Sequence, residues 1–395
     1  MIAGRLGDFC IMYSGGTPPR STTAYYGGAI PWAKIADLNV DTGIVYETEE
    51  SITPAGLNSI GNRMFPAGTI LLAMYGSVGK LAVAGCEISA NQAILGIAPK
   101  SEGILNRSYL RWWLEHIKPR LISDARGVTQ ANISKSIVEN MPIRLPPLDE
   151  QIRIAAILDK AESIHRRRQE AIALTDQLIR ATFIEMFGNP VERGWSMTTV
   201  DKLANPDQGS IRTGPFGSQL LHSEFVESGV PVLGIDNVVD NIFRWAKPRF
   251  ISDDKYASLR RYTVHPGDVL ITIMGTCGRC AIAPESIPTA INTKHICCIT
   301  LDRRKCLPEF LHSYFLHHPI AREYLAGSAK GAIMDGLNMG IIKELPVPEV
   351  PLTLQLRYQR FVFALSKMNA VCEANRESSN ALFESLNHRA FTGQL

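Results

Sequence analysis

The sequence predicts a mixed α/β fold: two similar α/β globules separated by two long antiparallel coiled-coil helices, arranged as a pseudo-two-fold internal repeat. Three observations carry this expectation. FPAGTILLAMYGSVGKLAVA (65–84) aligns without gaps on VHPGDVLITIMGTCGRCAIA (264–283), an offset of 199 that pairs Gly68 with Gly267, Gly76 with Gly275, Gly79 with Gly278 and Lys80 with Arg279. LPPLDEQIRIAAIL (145–158) is answered by VPEVPLTLQLRYQRFVFAL (347–365) at an offset of 204, with Pro147 on Pro351, Gln151 on Gln355 and Phe187 on Phe391. Each Pro turn then opens roughly forty helix-forming residues, about 60 Å of helix at 1.5 Å per residue. That is more than one compact domain usually needs.

The expected boundaries are a first globule over 1–145, a first long helix over 146–188, a second globule over 189–347 and a second long helix over 348–395. A chain of 395 residues with 45% apolar composition can build two or three cores. The strands come first in each globule: TILLAMYG and VLITIMG are short β-type runs, and GSVGK and GTCGR are hairpin turns in which Gly supplies the positive φ. Helices follow at SYLRWWLEHIKPRLI (108–122) and PEFLHSYFLHHPIAREYL (308–325). Both lead into Gly-containing loops, RGVTQANIS and AKGAIMDGLN, then a strand-like segment and the Pro turn.

In the second long helix Leu354, Tyr358, Phe361, Leu365, Met368, Cys372, Asn375, Ser379, Leu382 and Leu386 recur at spacings of four and three. The first has Ile154, Ile157, Ala161, Ile164, Arg168, Ala171, Thr175, Leu178 and Thr182 at corresponding places. A stripe of this kind is a coiled-coil seam. The alternative is that each helix packs on its own globule.

The formal charge of +3 and pI near 8.4 permit a polyanionic partner without demanding one. The N-terminus lacks the pattern of a secretory signal, and no apolar run reaches the ~20 residues of a membrane helix. A soluble, cytoplasmic protein is expected. Eight scattered cysteines suit reduced thiols better than a disulfide framework.

Catalytic patterns are missing. GSVGKL fails the phosphate-loop pattern at Met74 and Leu81. Cys277, Cys280, Cys297 and Cys298 suggest zinc, but the first copy has Val78, Leu81 and Ile97 at the places of Cys277, Cys280 and Cys298, so no metal site is expected. His312, His317 and His318 lack an H-E-x-x-H context, and no Gly-x-Ser-x-Gly elbow is present.

Both copies instead carry loops of Gly, Ser, Thr, Asn, Gln and Arg. Such side chains read base edges and seat on phosphates. Singly each is an ordinary surface loop; as a pair they match a duplex with two half-sites. The candidate DNA contacts are Thr17, Arg20, Ser21, Lys34, Ser77, Lys80, Asn91, Gln92, Arg126, Thr129, Gln130 and Asn132 in the first copy. In the second they are Arg212, Thr213, Ser218, Asn237, Thr276, Arg279, Asn292, Lys294, Lys330 and Asn338. His165 to Arg168 could also touch phosphate, although such a run is more often a solvated face.

In its ordered motifs the chain resembles the specificity subunits of type I restriction-modification systems. The carrying residues are SGGTPPR (14–20), YYGGAIPWAKIADLN (25–39), GVTQANIS (127–134), LPPLDEQIRIAAILD (145–159) and FIEMFG (183–188), then GPFGSQL (214–220), VHPGDVLITIMGTCGR (264–279) and RAFTGQL (389–395). The resemblance implies two target-recognition domains that each read half of a split double-stranded DNA sequence, with no catalysis by this chain and no cofactor bound by it. It further implies two methyltransferase subunits that use S-adenosylmethionine, and restriction subunits that use ATP with Mg. Asp149, Glu150, Gln151, Gln355, Phe187 and Phe391 are the expected partner-binding residues. The second helix departs from the first, with Thr353 and Leu354 where Asp149 and Glu150 stand. The readings weighed against this one are a stand-alone DNA-modifying enzyme and a coiled-coil scaffold that reads no DNA.

Overall fold

A computed structural model describes residues 2–125, 132–329 and 336–392. The chain forms two compact units, Met1–Arg168 with Asn375–Leu395, and Gln169–Ala374.

In the first unit strands β1 (Cys10–Ser14), β2 (Ile70–Ala73), β3 (Leu81–Ala84) and β4 (Ile94–Pro99) form a sheet in the order β1-β4-β2-β3, with Ile44–Val45 added parallel to β3. In the second unit β5 (Ile211–Thr213), β6 (Val269–Thr272), β7 (Cys280–Ile282) and β8 (Ile296–Ile299) repeat the order as β5-β8-β6-β7. The register repeats as well. Ile70 faces Val83 and Leu72 faces Leu81 in the first unit, while Val269 faces Ile282 and Ile271 faces Cys280 in the second. All four residues of β2 and of β6 are buried, which is why these strands read as continuous apolar runs rather than alternating ones.

The next strand corrects the expected alignment by one residue. Leu71 pairs with Gly96, whereas Leu270 pairs with Cys298, so Cys298 stands at the place of Gly96 and not of Ile97. A one-residue shift moves a side chain to the opposite sheet face. A Cβ on Gly96 would lie 2.1 Å from the Phe65 ring, so the first copy needs glycine there. The second copy has the smaller Val264 at the place of Phe65, and a cysteine fits.

Four helices complete the plan: α1 (Arg107–Ala125), α2 (Leu148–Phe187), α3 (Pro308–His317) and α4 (Leu352–Thr392). In the first unit α1 lays Tyr109, Leu110, Trp112, Trp113 and Leu114 on Ile70, Leu72, Leu95 and Ile97 of the sheet. Ile154, Ala155 and Leu158 near the start of α2 join this core, and Phe383, Leu386 and Phe391 near the end of α4 pack against it. In the second unit Phe310 and Tyr314 of α3 meet Phe183 and Phe187 from the end of α2 and Tyr358 from the start of α4. Each long helix therefore packs its beginning on its own globule and its end in the other unit's core. Burying one such side chain contributes about 1.5–3 kcal/mol.

Ile154, Thr175 and Tyr358 of the seven-residue stripe are buried, while Ile164, Leu178 and Met368 are exposed. A straight helix carries such a stripe off its contact face by about 20° per heptad. The side chains of Cys372, Asn375, Ser379 and Leu382 lie outside the described residues. No described helix is long and apolar enough to cross a membrane.

Cys10, Cys86, Cys277, Cys280, Cys297, Cys298 and Cys306 are free thiols. Burial pushes the thiols of Cys10 and Cys297 up to about 12 and raises Cys280 and Cys306 as well. Protonated buried thiols are poor nucleophiles and poor metal ligands. Among the described residues no cluster of His, Cys, Asp and Glu could hold a metal ion.

Candidate nucleic-acid interface

The repeated hairpin turns are built by the same bonds. In the first unit Ala73 N donates to Lys80 O at 2.9 Å and Gly79 N to Ala73 O at 3.1 Å; in the second, Thr272 N donates to Arg279 O and Gly278 N to Thr272 O, both at 2.9 Å. Gly76, Gly79, Gly275 and Gly278 have φ of 65°, 81°, 74° and 82°, values that other residues rarely adopt. Ser77, Thr276 and Arg279 are exposed at these tips and Lys80 is half-buried. Neither Lys80 nor Arg279 has an acidic ion-pair partner among the described residues. Tyr75 and Met274, at the same place in the two copies, are also exposed. Alignment of the two copies shows this pair of large tip side chains, although neither was among the candidates.

A second device brings distant loops together. Gly15 packs so tightly on the backbone of Ala90 and Asn91 that a Cβ would lie 2.1 Å from Ala90 O, and Gly214 packs on Asn292 O at 2.0 Å by the same measure. Gly16 N also donates to Ala90 O at 2.8 Å and Gly214 N to Thr293 O at 3.3 Å, so the segments that carry Thr17 and Asn91, and those that carry Thr213 and Lys294, run side by side. Gln92, Ser21 and Ser218 are exposed. Asn132 forms a β-bridge with Tyr75, and Ile133 N donates to Met74 O at 2.9 Å, which seats the end of the RGVTQANIS loop beside the Ser77 and Lys80 hairpin. Asn338 is exposed and caps a short helix, Met339–Glu344, by accepting from Ile341 N at 3.0 Å. Arg126, Thr129, Gln130 and Lys330 lie outside the described residues.

Two first-copy cations are already neutralised. Arg20 pairs with Glu50 at 2.6 Å and stacks over Tyr26 at 4.5 Å, while Lys34 pairs with Glu49 at 2.6 Å and with Glu50 at 2.9 Å. The hydrogen bonds from Arg20 and then Lys34 hold the Glu50 carboxyl below its usual range. Phosphate would have to displace these carboxylates.

Three second-copy candidates are buried and engaged internally. Arg212 is 7% exposed; it pairs with the buried Asp268 at 2.6 Å and also donates to Thr263 O and Thr300 Oγ1. Asn237 accepts from Gly234 N at 2.9 Å and donates to Arg244 O at 2.9 Å. Asn292 is fully buried and donates to Ile296 O at 2.8 Å. Polar residues in sheet-edge segments look alike in sequence whether they face solvent or the core.

Of the expected partner-binding residues, Gln151, Gln355 and Phe187 are buried within their units. Gln151 Oε1 accepts from Asn106 N at 2.9 Å, and its Nε2 donates to Ile104 O at 2.9 Å and Pro146 O at 3.0 Å. Gln355 repeats this with Leu307 N at 2.8 Å, Lys305 O at 3.0 Å and Val350 O at 2.9 Å. Each glutamine ties the start of a long helix to the start of the helix on its own globule. Phe187 is fully buried among Phe183, Phe310 and Tyr358. Phe391 is half-buried against Tyr109 and His116. Asp149 and Glu150 remain at the surface, Glu150 with Arg153 at 2.7 Å.

Residues 3–174 match the family model described as a type I restriction modification DNA specificity domain. The chain is 26% identical over 226 residues to the MjaIX type I specificity subunit of Methanocaldococcus jannaschii, covering 52% of each chain. It is 24% identical over 325 residues to the EcoBI specificity subunit of Escherichia coli, covering 73% of this chain and 66% of that one. The chain thus spans between half and two thirds of the length of these curated relatives. Among solved structures, the S subunit of a type I restriction-modification system from M. genitalium superposes with a TM-score of 0.64 at 14% identity, covering 99% of this chain and 96% of that one. At that identity the likeness concerns the fold.

Proposed function

We propose that this chain is a member of the type I restriction-modification specificity family and that it reads a bipartite double-stranded DNA target without catalysing any reaction itself. The observation that carries the reading is the twice-built glycine hairpin, which presents Ser77 and Lys80 in one unit and Thr276 and Arg279 in the other. Lys80 and Arg279 supply phosphate contacts, which position a protein on the duplex without reading sequence. Thr17, Ser21, Asn91, Gln92 and Asn132 in the first unit, and Thr213, Ser218, Lys294 and Asn338 in the second, supply donors and acceptors for base edges and phosphates. Each unit reads one half of the target, with recognition domains over 1–145 and 189–347 and spacer helices over 146–188 and 348–395.

The partners in this reading are two adenine methyltransferase subunits and the restriction subunits. S-adenosylmethionine, and ATP with Mg, belong to those partners. Asp149 and Glu150 are the surface positions on the first helix left for docking, and the complex works in the cytoplasm. The test is to map methylated adenines in DNA from cells that express this chain with its methyltransferase subunit. A split motif, altered in one half only by changes in one unit, is the expected result. A motif contained in one contiguous run, or methylation unaffected by loss of the second unit, would refute the reading. Equal affinity for every duplex would favour the scaffold.

A further inference from the structure

We propose that the second unit carries a receptor cavity for a tryptophan side chain of a partner polypeptide, at the place the first unit fills with its own Trp112. The proposal is independent of DNA reading. Its basis is the register set by the two buried glutamines. Asn106 N bonds Gln151 and Leu307 N bonds Gln355, so α1 and α3 align residue by residue, as do the long helices that carry the glutamines. In this register Arg111 and Trp112 correspond to His312 and Ser313, and Asp159 and Glu162 to Phe363 and Ser366.

In the first unit the space between α1 and α2 is full. Trp112 is 2% exposed; its Nε1 donates to Asp159 Oδ1 at 2.8 Å, and the Arg111 guanidinium lies 4.5 Å from the ring centre and pairs with Glu162. In the second unit the indole is replaced by the Ser313 hydroxymethyl group, whose Oγ accepts from the Tyr358 hydroxyl at 2.8 Å, Tyr358 standing where the first unit has the smaller Ile154. His312 does not fill the gap, because its Nε2 points inward and bonds both Asn241 O at 2.9 Å and Cys280 O at 3.0 Å. A cavity of about 570 Å³ remains, lined by Ile242, Phe243, Glu309, Ser313, Val362 and Phe363 among others. That lies within the range of ~300–1,000 Å³ in which specific ligand sites occur.

The chemistry of the walls selects the occupant. The apolar residues suit an aromatic ring. The Glu309 carboxylate is 8% exposed, and its Oε2 accepts from Gln359 Nε2 at 2.8 Å, which leaves Oε1 as an acceptor for an incoming N–H. The first unit makes the same pairing within itself, indole N–H to carboxylate. Ile242 and Phe363 are about half exposed at the cavity, at 49% and 50%, and offer apolar contact for a polypeptide around the inserted ring. A buried aromatic anchor with an apolar surround is the usual centre of a protein interface.

The test uses the full chain with the tripeptide acetyl-Gly-Trp-Gly-amide, its Leu counterpart and free indole, followed by ligand-observed NMR titration. The Trp peptide is expected to bind saturably and at least tenfold more tightly than the Leu peptide. Ser313→Trp, which copies the first unit but removes the acceptor of the Tyr358 hydroxyl, is expected to weaken peptide binding at least tenfold. Glu309→Ala, which adds no bulk, is expected to weaken it about tenfold and to keep the proposal testable if Ser313→Trp does not fold. Absence of saturable binding, or undiminished binding in both variants, would overturn the proposal. Indole binding without tripeptide binding would also overturn it, since it would mark a small-molecule site.

Discussion

Replacing Gln355 with alanine removes three hydrogen bonds at once from the junction of α4 and α3. The side chain is 1% exposed, and without it Leu307 N, Lys305 O and Val350 O lose their partner in a closed site. A buried donor or acceptor left unmet costs about 1–3 kcal/mol. Carbonyls have a second lone pair and water can enter part of the space, so the three together should cost about 3–5 kcal/mol. Gln151→Ala should cost the same in the first unit, because its bonds to Asn106, Ile104 and Pro146 repeat the geometry. Glu150→Ala, one residue away and half-buried with Arg153 as its ion-pair partner, should leave stability nearly unchanged. The assay is chemical denaturation of the full chain, followed by tryptophan fluorescence and circular dichroism, with complex assembly measured in parallel. If Gln151→Ala left stability intact and blocked assembly with the methyltransferase, the glutamine would be a docking residue and the junction argument would be wrong.

Lys80→Ala or Arg279→Ala should weaken DNA binding without changing the preferred sequence, and each lost phosphate contact should lower the salt slope by about 0.9; an unchanged slope in a salt titration would count against the assignment. Arg212→Met should destabilise the second unit by about 3–5 kcal/mol, since it leaves Asp268 buried without its cation; a stable variant with a specific DNA defect would restore Arg212 as a contact. Burial lowers the pKa of His312 and His318, and that of His317 to about 4, with His312 and nearby arginines adding to the last shift. The unfolded chain then binds more protons than the folded one between pH ~6.5 and ~4, so stability falls as pH drops through that window, by up to about 1.4 kcal/mol per pH unit per proton. Melting temperatures of the parent and His317→Gln across that range check this, with a flatter profile expected for the variant.

Exposed and buried polar side chains share one residue vocabulary, which is why the sequence alone does not separate the two. Arg212, Asn237 and Asn292 look like loop readers in a string of Gly, Thr and Asn. Arg212 is in fact the counter-ion of an aspartate 56 positions away, and nothing local marks that distance. Arg20 and Lys34 look like free cations until the fold brings Glu49 and Glu50 to them. The turns that carry Lys80 and Arg279 were legible because they need glycine at two fixed places in each copy, a local demand written in the chain itself.

The duplication, the order of strands and helices in each copy, the hairpin turns and the two forty-residue helices were set by sequence alone. Each follows from short-range requirements: positive φ at glycine, apolar runs of strand length, and an unbroken helical stretch after Pro-Pro or Val-Pro. Tertiary structure alone decided that Gln151 and Gln355 anchor helices inside their units, that Cys298 replaces Gly96 rather than Ile97, and that a cavity lies beside Ser313 while Trp112 is packed in the first unit. Those outcomes depend on which side chains share a volume across long stretches of chain, and volume is settled only when the core packs.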